Sequence, residues 1–218
     1  ANGFGSFPLI NVIDNINSTN TWLTEFNLDF FDSIISLKQS EGRGRQGRLW
    51  ESYRGGFYYS VVLPKKNLLP IIVGISVAEI LYENKIVAKV KWPNDVLVEG
   101  KKLGGVLCQV QGEKVIVGLG INMTNSSSLE KSISLSALGF SIDKLDFINK
   151  FNEKIKIAME HSDEHIIQQF LIYDCLIGKY VSWKDGNGQV VKISEDGRLV
   201  VRDTLDNLIF LTEEIHLQ

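Results

Sequence analysis

Hydrophobic and polar positions alternate with a period of two at several places in the first half of the chain. Residues 9–13, 33–37, 55–63 and 86–91 read as strands, the third closed by Pro64 and the fourth by Trp92-Pro93. Residues 1–8 form an irregular lead-in. Residues 69–82 are apolar on nearly every side except Glu79 and Glu83, which predicts a helix buried against a sheet. In the fourth strand, alternation puts Val87, Lys89 and Lys91 on one face and Ala88, Val90 and Trp92 on the other. Lys91 therefore stands at the C-terminal mouth of its strand. Residues 94–98, a Gly100-Lys101-Lys102 turn and residues 103–110 predict a hairpin, and 114–121 one more strand ending in Gly118-x-Gly120-Ile121-Asn122.

After a polar linker at 125–131 the period lengthens. Ile148, Phe151, Ile155, Ala158 and Met159 mark one amphipathic helix capped near Asp143, and residues 164–176 support another. From Lys179 short strands return as YVSW, QVVKI, RLVVRD and LIFL, with turns at 185–188, 195–197 and 206–207. Their spacing fits a small barrel of about 40 residues. A chain of 218 residues makes one domain, or one with such an appendage.

The formal charge of −3 argues against a general nucleic-acid binder. Residues 1–183 carry 19 basic and 19 acidic side chains, and 184–218 carry 4 and 7, so any basic patch is local. Cys108 and Cys175 form no CxxC pair, and neither a signal peptide nor a spanning apolar run occurs, which predicts a cytoplasmic protein with no membrane partner.

The local basic patch is EGRGRQGRLW at 41–50, where Arg43, Arg45 and Arg48 alternate with Gly42, Gly44 and Gly47. Arginine grips phosphate or carboxylate oxygens with forked donors, and glycine lets backbone pass close to a ligand. The composition describes a loop that closes on an anion. It also satisfies the G-x-G-x-x-G pattern of dinucleotide folds, but residues 49–54 open no amphipathic helix and no acidic residue follows about 20 positions on. Upstream, Asn17-Ser18-Thr19-Asn20 suits a helix N-cap. His161 and His165 stand at i, i+4 with no third ligand evident, so a solvated helix face is expected and no metal site is assigned.

GRGRQGRLW, KWPND, KKLGGVLCQ and VGLGIN, in that order, with NSTN before them and a β-rich tail after, resemble the catalytic domain of biotin protein ligases. The resemblance spans essentially the whole chain. It implies an α/β (α+β) fold: a mixed sheet flanked by helices, class II synthetase-like and similar to lipoate ligases, over residues 1–176, then an SH3-like β-barrel over 177–218. No N-terminal helix-turn-helix stands in the sequence, so the chain looks like a ligase without the repressor function of some relatives. Lys192 occupies a place where the family usually has glycine.

What the resemblance implies is an ATP-dependent ligase that forms biotinyl-5′-AMP and transfers biotin to a lysine of a biotin carboxyl carrier protein or domain. Ser18, Thr19, Asn20 and Gln39 would bind the ureido ring. Arg43, Gly44, Arg45 and Lys91 would hold carboxylate and α-phosphate, with Lys91, Arg43 and Arg45 catalytic. Arg45, Arg48, Trp50, Asn94 and Asn122 are expected on the ATP side, and Mg2+ with the triphosphate. A homodimer is compatible with the family. The glycine-rich loop is expected to order around its ligand.

Overall fold

The computed structural model describes residues 10–26, 28–125, 130–212 and 215–217; the predicted lead-in, Leu9 and positions 126–129 of the linker lie outside them. A seven-stranded sheet is built from β1 (Ile10–Ile13), β2 (Ser33–Ser36), β3 (Phe57–Pro64), β4 (Ala88–Lys91), β5 (Asp95–Val98), β6 (Lys101–Gln111) and β7 (Lys114–Ile121). Their order is β1-β2-β3-β7-β6-β5-β4. β1 runs parallel to β2, and the other pairings are antiparallel. The sheet is therefore mixed.

One face carries α1 (Thr19–Thr24) against β3 and β7, and the other carries α2 (Leu69–Glu83), α3 (Lys144–Glu160) and α4 (Asp163–Tyr173). α2 is apolar all round because it lies between the sheet and the outer pair α3 and α4. It starts abruptly at Leu68, whose φ of 61° turns the chain, and Pro70 suits the first turn. Gly74 lets the helix settle on β4, since a Cβ there would stand 2.9 Å from Val90 Cγ1. The acidic pair Glu79 and Glu83 finds its reason in α3: Lys154 bonds both, at 3.3 and 2.8 Å, and Lys150 reaches Glu83 at 3.5 Å. Asp143 caps α3 by accepting from the backbone N–H groups of Leu145 and Asp146. The helix then drives Phe147 and Phe151 edge-on against Phe57 and Tyr59 of β3, with ring centroids 5.0 and 6.0 Å apart.

A second, antiparallel sheet has the order β11-β10-β9-β8-β12, from β8 (Tyr180–Trp183), β9 (Gly186–Ile193), β10 (Leu199–Asp203), β11 (Leu208–Leu211) and β12 (His216–Leu217). This small sheet matches the expected SH3-like tail, with β12 added. Val181, Val190, Leu199, Val201 and Ile215 of the tail belong to the same hydrophobic cluster as the helix-covered face of the large sheet. Some 40 residues cannot enclose an adequate core alone, and here they do not have to. No described helix is long and apolar enough to cross a membrane.

Some local readings change. Gly186, Asn187 and Gly188, expected in a turn, open β9 instead. Lys101 and Lys102 belong to β6, not to the turn before it. α4 ends at Tyr173, where the Asp174 carboxylate accepts from the N–H groups of Leu176 and Ile177. His161 is the C-cap of α3 and His165 lies in α4, so the two histidines do not share a helix, although their rings stand 4.2 Å apart.

Phe151 is 1% exposed and fills the joint between α3 and β3. Phe151→Ala is expected to lower unfolding free energy by about 3–5 kcal/mol. Urea denaturation measures this, and a loss below about 1 kcal/mol would show that α3 is not anchored there.

Candidate functional site

On the α1 side of the sheet, alternation along β3 and β7 gives three successive rungs. Val62 pairs with Ile116, Ser60 with Gly118, and Tyr58 with Gly120. The first rung packs beneath Leu23 of α1 together with Ile34. At the second the apolar bulk stops. β6 extends the third rung with Gly105, opposite Gly120. The volume these small residues leave becomes a cavity of about 400 Å³, and every site residue expected from the sequence lines it.

One wall is polar and uncharged. Ser18 is the N-cap of α1 and accepts from Thr21 N–H, so the capping reading holds and the side chain also lines the cavity. The helix start turns Thr19 and Asn20 inward, where they are 4% and 3% exposed. Asn20 sits over Gly118, whose Cβ would stand 2.2 Å from Asn20 Oδ1. Asn20 Nδ2 donates to Gln109 Oε1 at 2.7 Å, and Ser60 Oγ lies 2.6 Å from Asn20 Oδ1 and 2.7 Å from Thr19 Oγ1. Gln39 Oε1 accepts from Thr19 N–H at 2.8 Å and from Thr19 Oγ1 at 3.0 Å. These groups are held before any ligand arrives, a preorganised row suited to a neutral ring with several donors and acceptors.

The arginine–glycine loop overhangs the cavity as a narrow hairpin. Main-chain bonds join its arms: Gln39 N–H to Ser52 O, Trp50 N–H to Gly42 O and Gly44 N–H to Arg48 O, at 3.1, 2.8 and 2.7 Å. Gln46 and Gly47 take positive φ at the tip, in a 3-10 turn spanning Arg45–Gly47. Burial adds little, since Leu49 is 81% exposed. Such a segment opens at low cost. Arg45 Nη1 donates to Asn94 Oδ1 at 3.4 Å, which brings the loop to the Pro93-Asn94 turn after Lys91. The ammonium of Lys91 and the guanidinium of Arg43 have no hydrogen-bond or ion-pair partner among the described residues. Two uncompensated cations at one cavity make it a receptor for anions.

Trp50 lies on the glycine rung: a Cβ on Gly120 would stand 2.6 Å from Trp50 Cε2, and one on Gly105 3.3 Å from Cζ3. Its Nε1–H is buried without a hydrogen-bond partner among the described residues. Lys102 Nζ stands 5.4 Å from the indole centroid and 2.7 Å from Asp95 Oδ1. Strict alternation from Gly105 would turn Lys102 to the helix side. A register shift between Val96 and Leu97 of β5 reverses this, so that Leu103 enters the core and Lys102 joins the cavity. Asn94 Nδ2 donates to Val106 O at 2.8 Å, and the Asn122 carboxamide donates to Ile133 O at 3.3 Å and accepts from Asn125 at 3.1 Å. Both asparagines are fastened to the walls they line. Ile215, just before β12, completes the rim from the small sheet.

Comparison with known proteins follows this geometry. Residues 12–123, the stretch that supplies most of the cavity, match the model of the biotin/lipoate A/B protein ligase family. The chain belongs to that family. The biotin protein ligase of Aquifex aeolicus, solved in complex with biotin and ATP, superposes with a TM-score of 0.87 at 27% identity, covering 97% of this chain and 100% of that one. Among curated relatives, the bifunctional ligase/repressor BirA of Bacillus spizizenii is 30% identical over 77% of this chain and 60% of its own length, and that of Escherichia coli 29% over 77% and 57%. The chain thus spans under two thirds of those relatives.

The sequence pattern singled out the Gly118-x-Gly120 strand end but gave no role to Lys102, Gln109, Ser60 or Gly105. The i, i+2 spacing of Gly118 and Gly120 in a strand was a visible signal that both face one side. Gln109 and Lys102 needed the strand pairings. The thiols have no part in the site: burial raises Cys108 to about 12, with Arg45 acting the other way, and burial followed by Asp174 raises Cys175 to about 11. Both half-buried thiols therefore stay protonated near neutral pH, and iodoacetamide is expected to label the native protein more slowly than the unfolded chain at pH 7.5; equal rates would show that the fold does not shield them. Gly120→Ala is expected to expel the Trp50 indole from its shelf. The fluorescence difference between this variant and its Trp50→Phe counterpart should shift to the red relative to the same difference in the parent, and an unshifted spectrum would place the indole elsewhere.

Proposed function

We propose that this chain activates biotin with ATP and transfers it to a lysine of a biotin carboxyl carrier protein or domain. The observation that carries the reading is one cavity with an uncharged, donor-and-acceptor wall at Ser18, Thr19, Asn20 and Gln39 and with cations at Lys91 and Arg43 that are unpaired among the described residues. The Aquifex aeolicus relative bound to biotin and ATP supports it. Residues 1–176 act as the ligase unit, and 177–218 as an SH3-like unit that rims the same cavity.

In the first step a carboxylate oxygen of biotin attacks the α-phosphorus of ATP. The bond from that phosphorus to the bridging oxygen breaks, and pyrophosphate leaves with the electron pair. Biotinyl-5′-AMP remains. Two anions must approach each other, so the principal demand is for fixed positive charge rather than for an acid and a base. Lys91, Arg43 and Arg45 meet that demand, and Lys102 adds a further ammonium, held by Asp95 and facing the indole. Gly44 brings main chain close to the phosphate. Trp50, Arg48, Asn94 and Asn122 form the nucleotide side.

In the second step the amine of the acceptor lysine attacks the acyl carbon, the C–O bond to phosphate breaks, AMP leaves and the nitrogen loses its extra proton. Mg2+ would travel with the triphosphate. No group of three His, Cys, Asp or Glu able to cage a metal occurs among the described residues, and Glu51 and Asp95 are the carboxylates of the cavity wall, so phosphate oxygens and water would be the ion's main ligands.

Biotin-dependent exchange of labelled pyrophosphate into ATP tests the first half-reaction, with lipoate as control because lipoate ligases share the family. Exchange is expected with biotin alone, and Lys91→Ala is expected to slow it roughly 10²-fold or more while leaving thermal stability unchanged, the scale of losing one charged contact to a transition state. Exchange with lipoate in place of biotin would reassign the acid, and an active Lys91→Ala would remove that lysine from the mechanism.

A further inference from the structure

Ser52 is 5% exposed and does not line the cavity, yet it joins the two halves of the site. Its Oγ accepts from Gln39 Nε2 at 2.8 Å and donates to Trp50 O at 2.9 Å. Gln39 in turn receives Thr19 through its other amide atom, and Trp50 N–H is bonded to Gly42 O at the neck of the hairpin. The chain of bonds therefore runs from the ureido wall, through one carboxamide and one hydroxyl, to the root of the arginine–glycine loop.

Two features make this link directional. The Gln39 amide cannot be turned over, because Nε2 would then meet the Thr19 N–H, donor against donor. The Ser52 hydroxyl has a single proton, committed to Trp50 O once its lone pair takes Nε2–H. The junction is also tightly fitted: a Cβ on Gly42 would stand 2.4 Å from both Ser52 Oγ and Trp50 O and 3.1 Å from Gln39 Nε2. Elsewhere the loop has few restraints, with its tip exposed and its arms held by main-chain bonds.

We propose that Ser52 is a positioning residue that transmits occupancy of the ureido wall to the loop. A ring bonded to Thr19 and Gln39 tightens the hold that Thr19 and Ser52 already have on the carboxamide. The carboxamide then holds the hydroxyl, and the hydroxyl holds the Trp50 carbonyl, so the loop closes over an acid whose ring is already seated. Nothing in this transfer requires the acid's carboxylate to touch an arginine. The coupling is a free energy between two sites carried by a contiguous hydrogen-bonded chain.

This inference rests on the ligase reading, and its test separates the two. The probe is biotinol, the alcohol counterpart of biotin, which keeps the ring and lacks the carboxylate. Calorimetry measures its binding, and limited trypsin digestion with mass spectrometry measures nicking after Arg43, Arg45 and Arg48. In the parent, saturating biotinol is expected to slow nicking about tenfold by lowering the population of open loop. In Ser52→Ala, biotinol should still bind, within about tenfold of the parent affinity, and protection should be lost; Ser52→Thr, which keeps the hydroxyl, should retain it. Gly42→Ala breaks the same junction from the other side and is expected to behave as Ser52→Ala does, which carries the test if Ser52→Ala does not fold. Undiminished protection in Ser52→Ala or in Gly42→Ala, or biotinol that binds the parent without protecting it, overturns the role of Ser52 and leaves the ligase reading standing. Failure of both biotin and biotinol to bind the parent overturns that reading and this inference with it.

Discussion

On the α1 side of the sheet, packing stops where Val62 and Ile116 give way to Ser60 and Gly118, and then to Tyr58 with Gly120 and Gly105. A close-packed sheet face does not tolerate an unfilled rung, so something must lie over it. Asn20 lies over Gly118 and the Trp50 indole over Gly105 and Gly120. What remains open is bounded by groups that a hydrocarbon core would have excluded. The cavity is a consequence of which side chains are missing from two adjacent strands.

The opposite face supplies the rigidity that such a hollow requires. α2, sandwiched between the sheet and α3, and the aromatic joint of Phe57, Tyr59, Phe147 and Phe151 keep the strands in register. Precision on one side thus depends on burial on the other. The loop over the cavity is the exception, held by main-chain bonds and by the Ser52 junction. A stiff floor with a lightly held cover lets a ligand enter and leave without disturbing the sheet beneath it.

Charge is distributed along the same division. The uncharged wall spends its polar atoms on internal hydrogen bonds, whereas Lys91 and Arg43 keep their charge uncompensated among the described residues. Lys102 is intermediate, paired with Asp95 yet beside the indole. The small sheet is part of this arrangement: its apolar side chains share the main core, Gly197 O accepts from Trp92 Nε1–H at 2.8 Å directly after Lys91, and Ile215 reaches the rim. The tail therefore braces the segment that carries a cation of the site.

By itself the sequence determined the strand-rich framework, the all-round apolar helix expected at 69–82, the Asp143 cap and the existence of the tail strands β8 to β11, because each follows from a local period or a local capping preference. It also marked the loop, the strand-end lysine and the NSTN segment, since unusual composition in short stretches is visible without coordinates. Only tertiary structure decided what those stretches do together. Gln109 became a partner of Asn20, 89 positions away, because β6 pairs with β7 beneath α1, and Lys102 reached the cavity through a bulge that no alternation rule announces. The histidine pair lost its shared helix to the break at Ser162, and β12 was too short to leave a pattern. A period reports the direction of a side chain relative to its own backbone, and a site is made of directions measured against other segments.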